Sequence, residues 1–297
     1  MMTVLSLSGG KDSTAAALWL REQGIEHVRV FQDTGWEHPA LYAHLDYLEE
    51  QLGPIIRLRS DINVAPEYAD AVADIERRLG VASSPMVRWA VKKAMFPSRM
   101  RRYCTQELKV RPFLKWARAQ DDDILSVVGI RAEESAARSG LAEREAMPGA
   151  EDIEVWRPLI RWTLADVVDI HARHNVRPCS LYLEGASRVG CWPCIMSNKS
   201  ELAMLSKDDA RIDVMRDLEA LVGRVVIDRN HQHAAGLPTF FQNKLPDKSG
   251  TFPPWSIDKV MEWAQTSRGG RQFELFAADP RDAGCMRWGL CDTGNKS

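Results

Sequence analysis

The chain has 297 residues, a formal net charge of −2, 45% hydrophobic and 27% charged residues. These totals describe a globular protein large enough for one core with an appended subdomain, and they exclude a global cationic field for nucleic acid. No uncharged apolar run reaches the length of a membrane span and no secretion signal opens the chain, so a cytoplasmic protein without a membrane partner is expected.

Residues Thr3 to Leu7 ("TVLSL") form a short apolar run that predicts a buried strand. "SGGKDS" follows, then an alanine-rich helix expected to start near Thr14 and to end at Gly24, and a second strand from His27 to Phe31. Strand, helix and strand in so short a stretch make a βαβ unit, which implies a parallel sheet. The loop after the first strand then opens at the carboxyl edge, where ligands bind. Gly9 and Gly10 let the backbone approach an anion, and the free amides of the helix start point at it. Lys11 adds a full charge, and Ser8 and Ser13 supply hydroxyls. The plain alternative is a two-glycine turn with Asp12 or Ser13 capping the helix.

The string lacks the spacer of a Walker A loop, but it resembles the PP-loop of the ATP pyrophosphatase superfamily. That resemblance implies ATP bound on residues 8–13, with Lys11 and Asp12 in the chemistry. Five further stretches, in order, resemble the phosphoadenosine phosphosulfate (PAPS) reductase branch of the superfamily. They are "FQDTGWEHPALYAHLDYL", "CTQELKVRP", "GIRAEESAAR", "WRPLIRWTLADVVDI" and "PCSLYLEGASRVGCWPC", and the likeness spans roughly residues 3–198. The fold implied is α/β, a doubly wound parallel sheet of the adenine nucleotide alpha hydrolase type.

Each stretch also has a physical reading. Asp33 ends a strand near the phosphate loop, where a carboxylate helps hold Mg²⁺, or else it caps a turn. Residues Ile124 to Ile130 are a buried strand, and Gly129 allows close approach of the nucleotide. Arg131 and Arg138 offer guanidinium groups to phosphate or sulfate, while Glu134 at i,i+4 spacing is the competing partner for Arg138. Trp156, Trp162 and the Leu164–Ile170 run are packing, with Thr163 as a helix N-cap.

Six cysteines in such a chain point to metal or redox chemistry rather than a disulfide framework. Cys191 and Cys194 form a C-x-x-C pair, which on its own suits a redox dithiol, a zinc half-site or an iron–sulfur site. The resemblance implies a 4Fe–4S cluster on a Cys-Cys pair plus a distant C-x-x-C. Here the double cysteine is Cys104-Thr105, so one ligand must come from elsewhere. Cys179 reads as a buried structural thiol. Cys285 is assigned as the fourth ligand and Cys291 as a sulfur-carrying nucleophile, both in a Gly-rich tail.

The segment 88–102 interleaves Arg88, Lys92, Lys93, Arg99, Arg101 and Arg102 with Trp89 and Phe96, and offers contact to nucleic acid; an ordinary solvated helix is the alternative. His231 and His233 read as solvent-facing. Residues 1–200 are expected to form the nucleotide-binding core and 201–297 a mostly helical extension. The function expected is ATP-dependent sulfur transfer, with a cysteine desulfurase or another sulfur donor as partner. The alternatives are a PAPS or adenylyl-sulfate reductase and a nucleotide-binding regulatory protein. The unbroken loop and the tail "RWGLCD", unlike the reductases' Glu-Cys-Gly-Leu-His ending, favour ATP over PAPS.

Overall fold

The computed structural model describes residues 1–231, 236–242, 248, 250 and 253–266. Its centre is a six-stranded sheet in the order β3-β2-β1-β4-β6-β5. The strands are β1 (Met2–Ser6), β2 (Val28–Asp33), β3 (Ile55–Arg59), β4 (Ile124–Val128), β5 (Arg144–Met147) and β6 (Ala150–Trp156). All pairings are parallel except β5 with β6, an antiparallel hairpin at one edge. Chain order reverses between β1 and β4, which makes that crevice the switch point of a doubly wound sheet.

Successive residues of the central strands face opposite layers, as the pleat requires. Val4, Val30 and Ile124 pack with Phe113 and Ala117 of α6 (Arg111–Ala117). Leu5, Phe31, Leu125 and Val127 pack on the other face against α1 (Lys11–Glu22), α2 (Pro39–Leu52) and α8 (Leu164–Arg173). Both faces are therefore covered, which is why the strands read as continuous apolar runs.

A third layer is wholly helical. It joins α3 (Pro66–Arg78) and α4 (Pro85–Lys93) to α9 (Lys199–Leu205), α10 (Asp209–Asp228) and α11 (Ile257–Gln265). One apolar cluster thus runs across residue 200, from Trp36 and Val87 to Val222 and Val260. Between α10 and α11 lies a small hairpin, β7 (Phe241–Gln242) with β8 (Pro254–Trp255). No described helix is long and apolar enough to cross a membrane.

Two details correct the expectations. Helix α1 begins at Lys11 rather than near Thr14, because Gly10 takes the N-cap with extended backbone and the Ser13 hydroxyl donates back to its carbonyl at 2.9 Å. Strand β3 and the β5–β6 hairpin had no clear signal: their residues alternate with charges on exposed edges. Trp156, read as packing, is the last residue of β6 and rests edge-on to Trp19 at 5.4 Å within the core.

Glu219 of α10 fastens the third layer. Its two oxygens accept from the amides of Phe240 (2.9 Å) and Ile257 (3.3 Å), and burial raises its pKa to about 7, more than those two amides lower it. The folded protein therefore holds this proton in a pH range where the unfolded chain has released it. The stabilisation is complete below the unfolded value near pH 4.5 and is lost as pH rises through about 7. Unfolding free energy of the wild type, relative to Glu219→Gln, is expected to fall by up to about 3 kcal/mol across that range. Denaturant titrations of both proteins at acid and alkaline pH measure it, and a pH-independent difference contradicts it.

Candidate functional site

The Ser8–Ser13 loop joins β1 to α1 beside the switch point. Gly9 sits at φ +73°, and a Cβ there would lie 2.6 Å from Leu41 Cδ1, so only glycine fits. The loop is braced from within: Ser13 Oγ accepts from the Ser8 amide at 3.1 Å and shares a hydrogen bond with Ser8 Oγ at 3.0 Å. The amides of Asp12 and Ser13, in the first helical turn, have no protein acceptor among the described residues. They are the donors a phosphate oxygen requires at a helix start.

The backbone of Lys11 is clamped at both ends. Its N–H donates to the Tyr182 hydroxyl at 3.2 Å, and its carbonyl faces His171 Nε2 at 2.9 Å. His171 Nδ1 meets the Val176 carbonyl at 2.9 Å, so this buried ring ties the loop to the end of α8. The Lys11 ammonium pairs with Asp12 at 2.7 Å and stands 5.5 Å above the Tyr182 ring. Asp12 is shared with the buried Arg131, whose Nε lies 2.5 Å from it, and Arg131 also holds Glu133 at 2.6 Å. Burial works against the Arg131 charge, and Asp12 and Glu133 outweigh it.

Several expected site residues have different work. Gly129 does not face the ligand side: a Cβ there would come within 2.5 Å of the Asp12 carbonyl and 2.7 Å of Ser13 Cα. Its missing side chain lets β4 support the start of α1, which positions the loop from beneath. Asp33 has both carboxylate oxygens engaged, one by Arg59 and the other by the Tyr42 hydroxyl and the Gly35 amide, each at 2.8 Å. With Asp12 also paired twice, neither carboxylate presents a free oxygen to Mg²⁺. A Mg²⁺ arriving with ATP would depend on phosphate and water oxygens. Arg138, in the short helix α7 (Ala136–Ser139), pairs with Glu134, the competing partner named from its spacing.

The cysteines gather on the other side of the segment after Tyr182. Cys104 lies in a short helix, α5 (Tyr103–Thr105), that runs through a π turn (Gln106–Val110) into α6. The wider turn places Lys109 in a cleft of about 140 Å³ with Val189, Cys191 and Cys194. Burial pushes the Cys191 thiol up to about 12, with Lys109 pulling the other way. Burial also raises Cys104, and Cys194 adds to the effect, so the three sulfurs share one electrostatic neighbourhood. Cys191 first, then Glu37, Cys194 and Cys104, raise the Lys109 pKa against desolvation.

This cleft is stitched to the end of β2. Thr34 Oγ1 lies 3.7 Å from the Cys191 sulfur, the Cys191 thiol donates to Glu37 at 3.9 Å, and Trp36 Nε1 donates to the Pro193 carbonyl at 3.0 Å. The position of a Gly10 Cβ is 3.4 Å from the Tyr182 hydroxyl and 3.7 Å from Val189. The phosphate loop and the cysteine cleft therefore share a wall. Cys179 is fully buried in a cluster with Leu181, Tyr182 and Ala186 and does not line the cleft, and Cys285, Cys291 and His233 lie outside the described residues.

Among the described residues no group of three or more His, Cys, Asp or Glu is arranged to hold a metal ion. Soft thiols near the Lys109 ammonium are the type of donor that an iron–sulfur cluster would need, so the fit is one of donor chemistry alone. Lys109, Tyr182, His171, Thr34 and Glu37 were not singled out from the sequence. All but His171, which directly follows one of them, fall inside the stretches quoted above, but as single polar residues they carry no pattern of their own.

The family model described as phosphoadenosine phosphosulfate reductase domain matches residues 2–197. An uncharacterized 37.8 kDa protein of Escherichia phage 186 is 31% identical, covering 98% of this chain and 97% of its own length. The adenosine 5'-phosphosulfate reductase of Deinococcus radiodurans is 25% identical over 57% of this chain and 57% of that protein. Among solved structures, phosphoadenylyl-sulfate reductase from Candida auris in a phosphate complex aligns over 65% of this chain and 81% of its own, with TM-score 0.46 and 15% identity.

Proposed function

The chain belongs to the phosphoadenosine phosphosulfate reductase domain family, and from that premise we propose an ATP pyrophosphatase that adenylates a substrate for sulfur transfer to nucleic acid, as in DNA phosphorothioation or RNA thiolation. The observation that carries this reading is the shared wall. An intact S-G-G-K-D-S loop and the cleft of Cys191 and Cys194 meet at Val189, with Cys104 in the same electrostatic neighbourhood as Cys194.

In this reading the first-turn amides of α1 and the Lys11 ammonium hold the triphosphate. A substrate oxygen attacks the α-phosphorus, the bond to the β-phosphate breaks, and pyrophosphate leaves with the bonding pair. Lys11 stabilises the charge that builds on the leaving group. Asp12 and Arg131 fix the Lys11 side chain, and His171 with Tyr182 fixes its backbone. A sulfur nucleophile then displaces AMP, so the oxygen leaves with AMP and sulfur takes its place. Cys104, Cys191 and Cys194 would hold a 4Fe–4S cluster, with Cys285 assigned as fourth ligand and Cys291 as the sulfur carrier. Such a cluster supplies soft iron that binds sulfur. A cysteine desulfurase or another sulfur donor would reload it.

A PAPS or adenylyl-sulfate reductase is the second reading, favoured by the relationship to the Deinococcus enzyme. The two part on products. Anaerobically purified protein given ATP and single-stranded nucleic acid is expected to release pyrophosphate, and given PAPS with a dithiol reductant to release no sulfite. Sulfite from PAPS with no turnover of ATP would establish the reductase instead.

A further inference from the structure

Beside the cysteine cleft lies a second, larger cavity that the chemistry above does not use. Its volume is about 340 Å³, at the small end of ligand sites, and Ser197 lines both it and the cysteine cleft. Its walls are aromatic. Phe240 and Phe241 come from the β7 end, Trp255 from β8 and Trp263 from α11, with the Trp255 and Trp263 rings edge to face at 5.4 Å.

The rim is cationic. The turn Ser98–Arg101 is closed by two hydrogen bonds, the Ser98 amide to the Arg101 carbonyl (3.2 Å) and the Arg101 amide to Ser98 Oγ (3.1 Å). Arg99 and Met100 form its apex and line the cavity mouth. Arg99, Arg101 and Arg102 are all exposed, and among the described residues none of them pairs with a carboxylate. Of the other basic residues of the segment, Arg88 is bound to Glu76 at 2.6 Å, Lys93 lies over Trp89 at 4.7 Å and near Glu107 at 3.4 Å, and Lys92 stands over Trp89 at 5.6 Å.

We propose that this cavity receives one base of a single-stranded nucleic acid, stacked on its aromatic walls, with the strand's phosphates on Arg99, Arg101 and Arg102. The inference rests on the nucleic-acid acceptor proposed above and gives that acceptor a place. An aromatic ring carried on an anionic backbone is the ligand that complements aromatic walls under a row of unpaired guanidinium groups. The shared Ser197 sets the bound base next to Cys194, where sulfur would be delivered.

The test is fluorescence anisotropy of the full chain with a labelled mixed-sequence single strand, as RNA and as DNA, over a salt series. The triple variant Arg99→Ala, Arg101→Ala, Arg102→Ala is expected to bind more weakly and to flatten the slope of log affinity against log salt by about 2, for three lost phosphate contacts. Trp255→Ala, and in parallel an abasic strand offered to the wild type, are each expected to cost about tenfold in affinity. If the wild type binds the strand and neither the arginine variant nor the abasic strand changes affinity, this cavity is not the site, and the acceptor reading stands without it. If the wild type binds neither RNA nor DNA, both readings fall together.

Discussion

Lys11→Ala is expected to lower ATP-dependent pyrophosphate release by at least about a hundredfold, the scale for removing one preorganised charge from a developing anion. The ammonium sits at the first turn of α1, close to the amides of Asp12 and Ser13 that point out of the helix. Its partner Asp12 at 2.7 Å orients it rather than consuming it, because Asp12 is also held by Arg131 at 2.5 Å. That second hold also predicts that the variant folds. Asp12 keeps a guanidinium when the ammonium is gone, so the stability loss is about 1 kcal/mol, that of one ordinary hydrogen bond. Lys11→Arg should recover little, since a planar fork does not reproduce a compact ammonium above the Tyr182 ring. The measurements are pyrophosphate release and thermal unfolding side by side. Undiminished release by a folded Lys11→Ala protein would remove the phosphate loop from the reaction.

The same loop marks how far the sequence could be read. Two glycines, a lysine and a serine between an apolar strand and an alanine-rich helix determine local geometry by themselves, so the βαβ unit and the loop inside it were legible. The reason for Gly129 was not. A glycine that admits a ligand and one that admits a helix backbone look alike in sequence, and only the 2.5 Å approach to the Asp12 carbonyl separates them. Asp33 shows the same limit: its position at a strand end was right, but Arg59, Tyr42 and Gly35, which occupy its oxygens, come together only when β2, β3 and α2 pack. Arg138 was readable both ways, and local i,i+4 spacing supplied the partner it has. The clamp on Lys11 lay beyond reach, because His171 and Tyr182 are 160 and 171 residues away along the chain. The third layer was half visible. Periodicity gave α10 and α11, but not that their apolar faces close over α3 and α4 and form one cluster with Trp36 and Trp192.

Serine in place of Cys104, Cys191 or Cys194 is expected to strip iron from protein prepared without oxygen, where the wild type should be brown with about four irons per chain. Cys191 and Cys194 line the cleft on the segment bridged to Glu37, and Cys104 comes from another part of the chain, on the helix that continues to Lys109, close enough to feel Cys194. A serine hydroxyl is a hard, weakly acidic donor and a poor ligand for cluster iron, so each single change should bleach the protein. The fold should survive, since all three side chains are only partly buried. Cys179→Ser is the control: that thiol is fully buried with Leu181 and Tyr182, its nearest acceptor is the Ala40 carbonyl at 3.9 Å, and its loss should leave iron unchanged. Iron analysis and visible absorbance decide the matter for all four variants. Stoichiometric zinc without iron in the wild type would assign the cysteine cleft to a different metal, and retention of iron by the Cys191→Ser and Cys194→Ser proteins would move the cluster away from it.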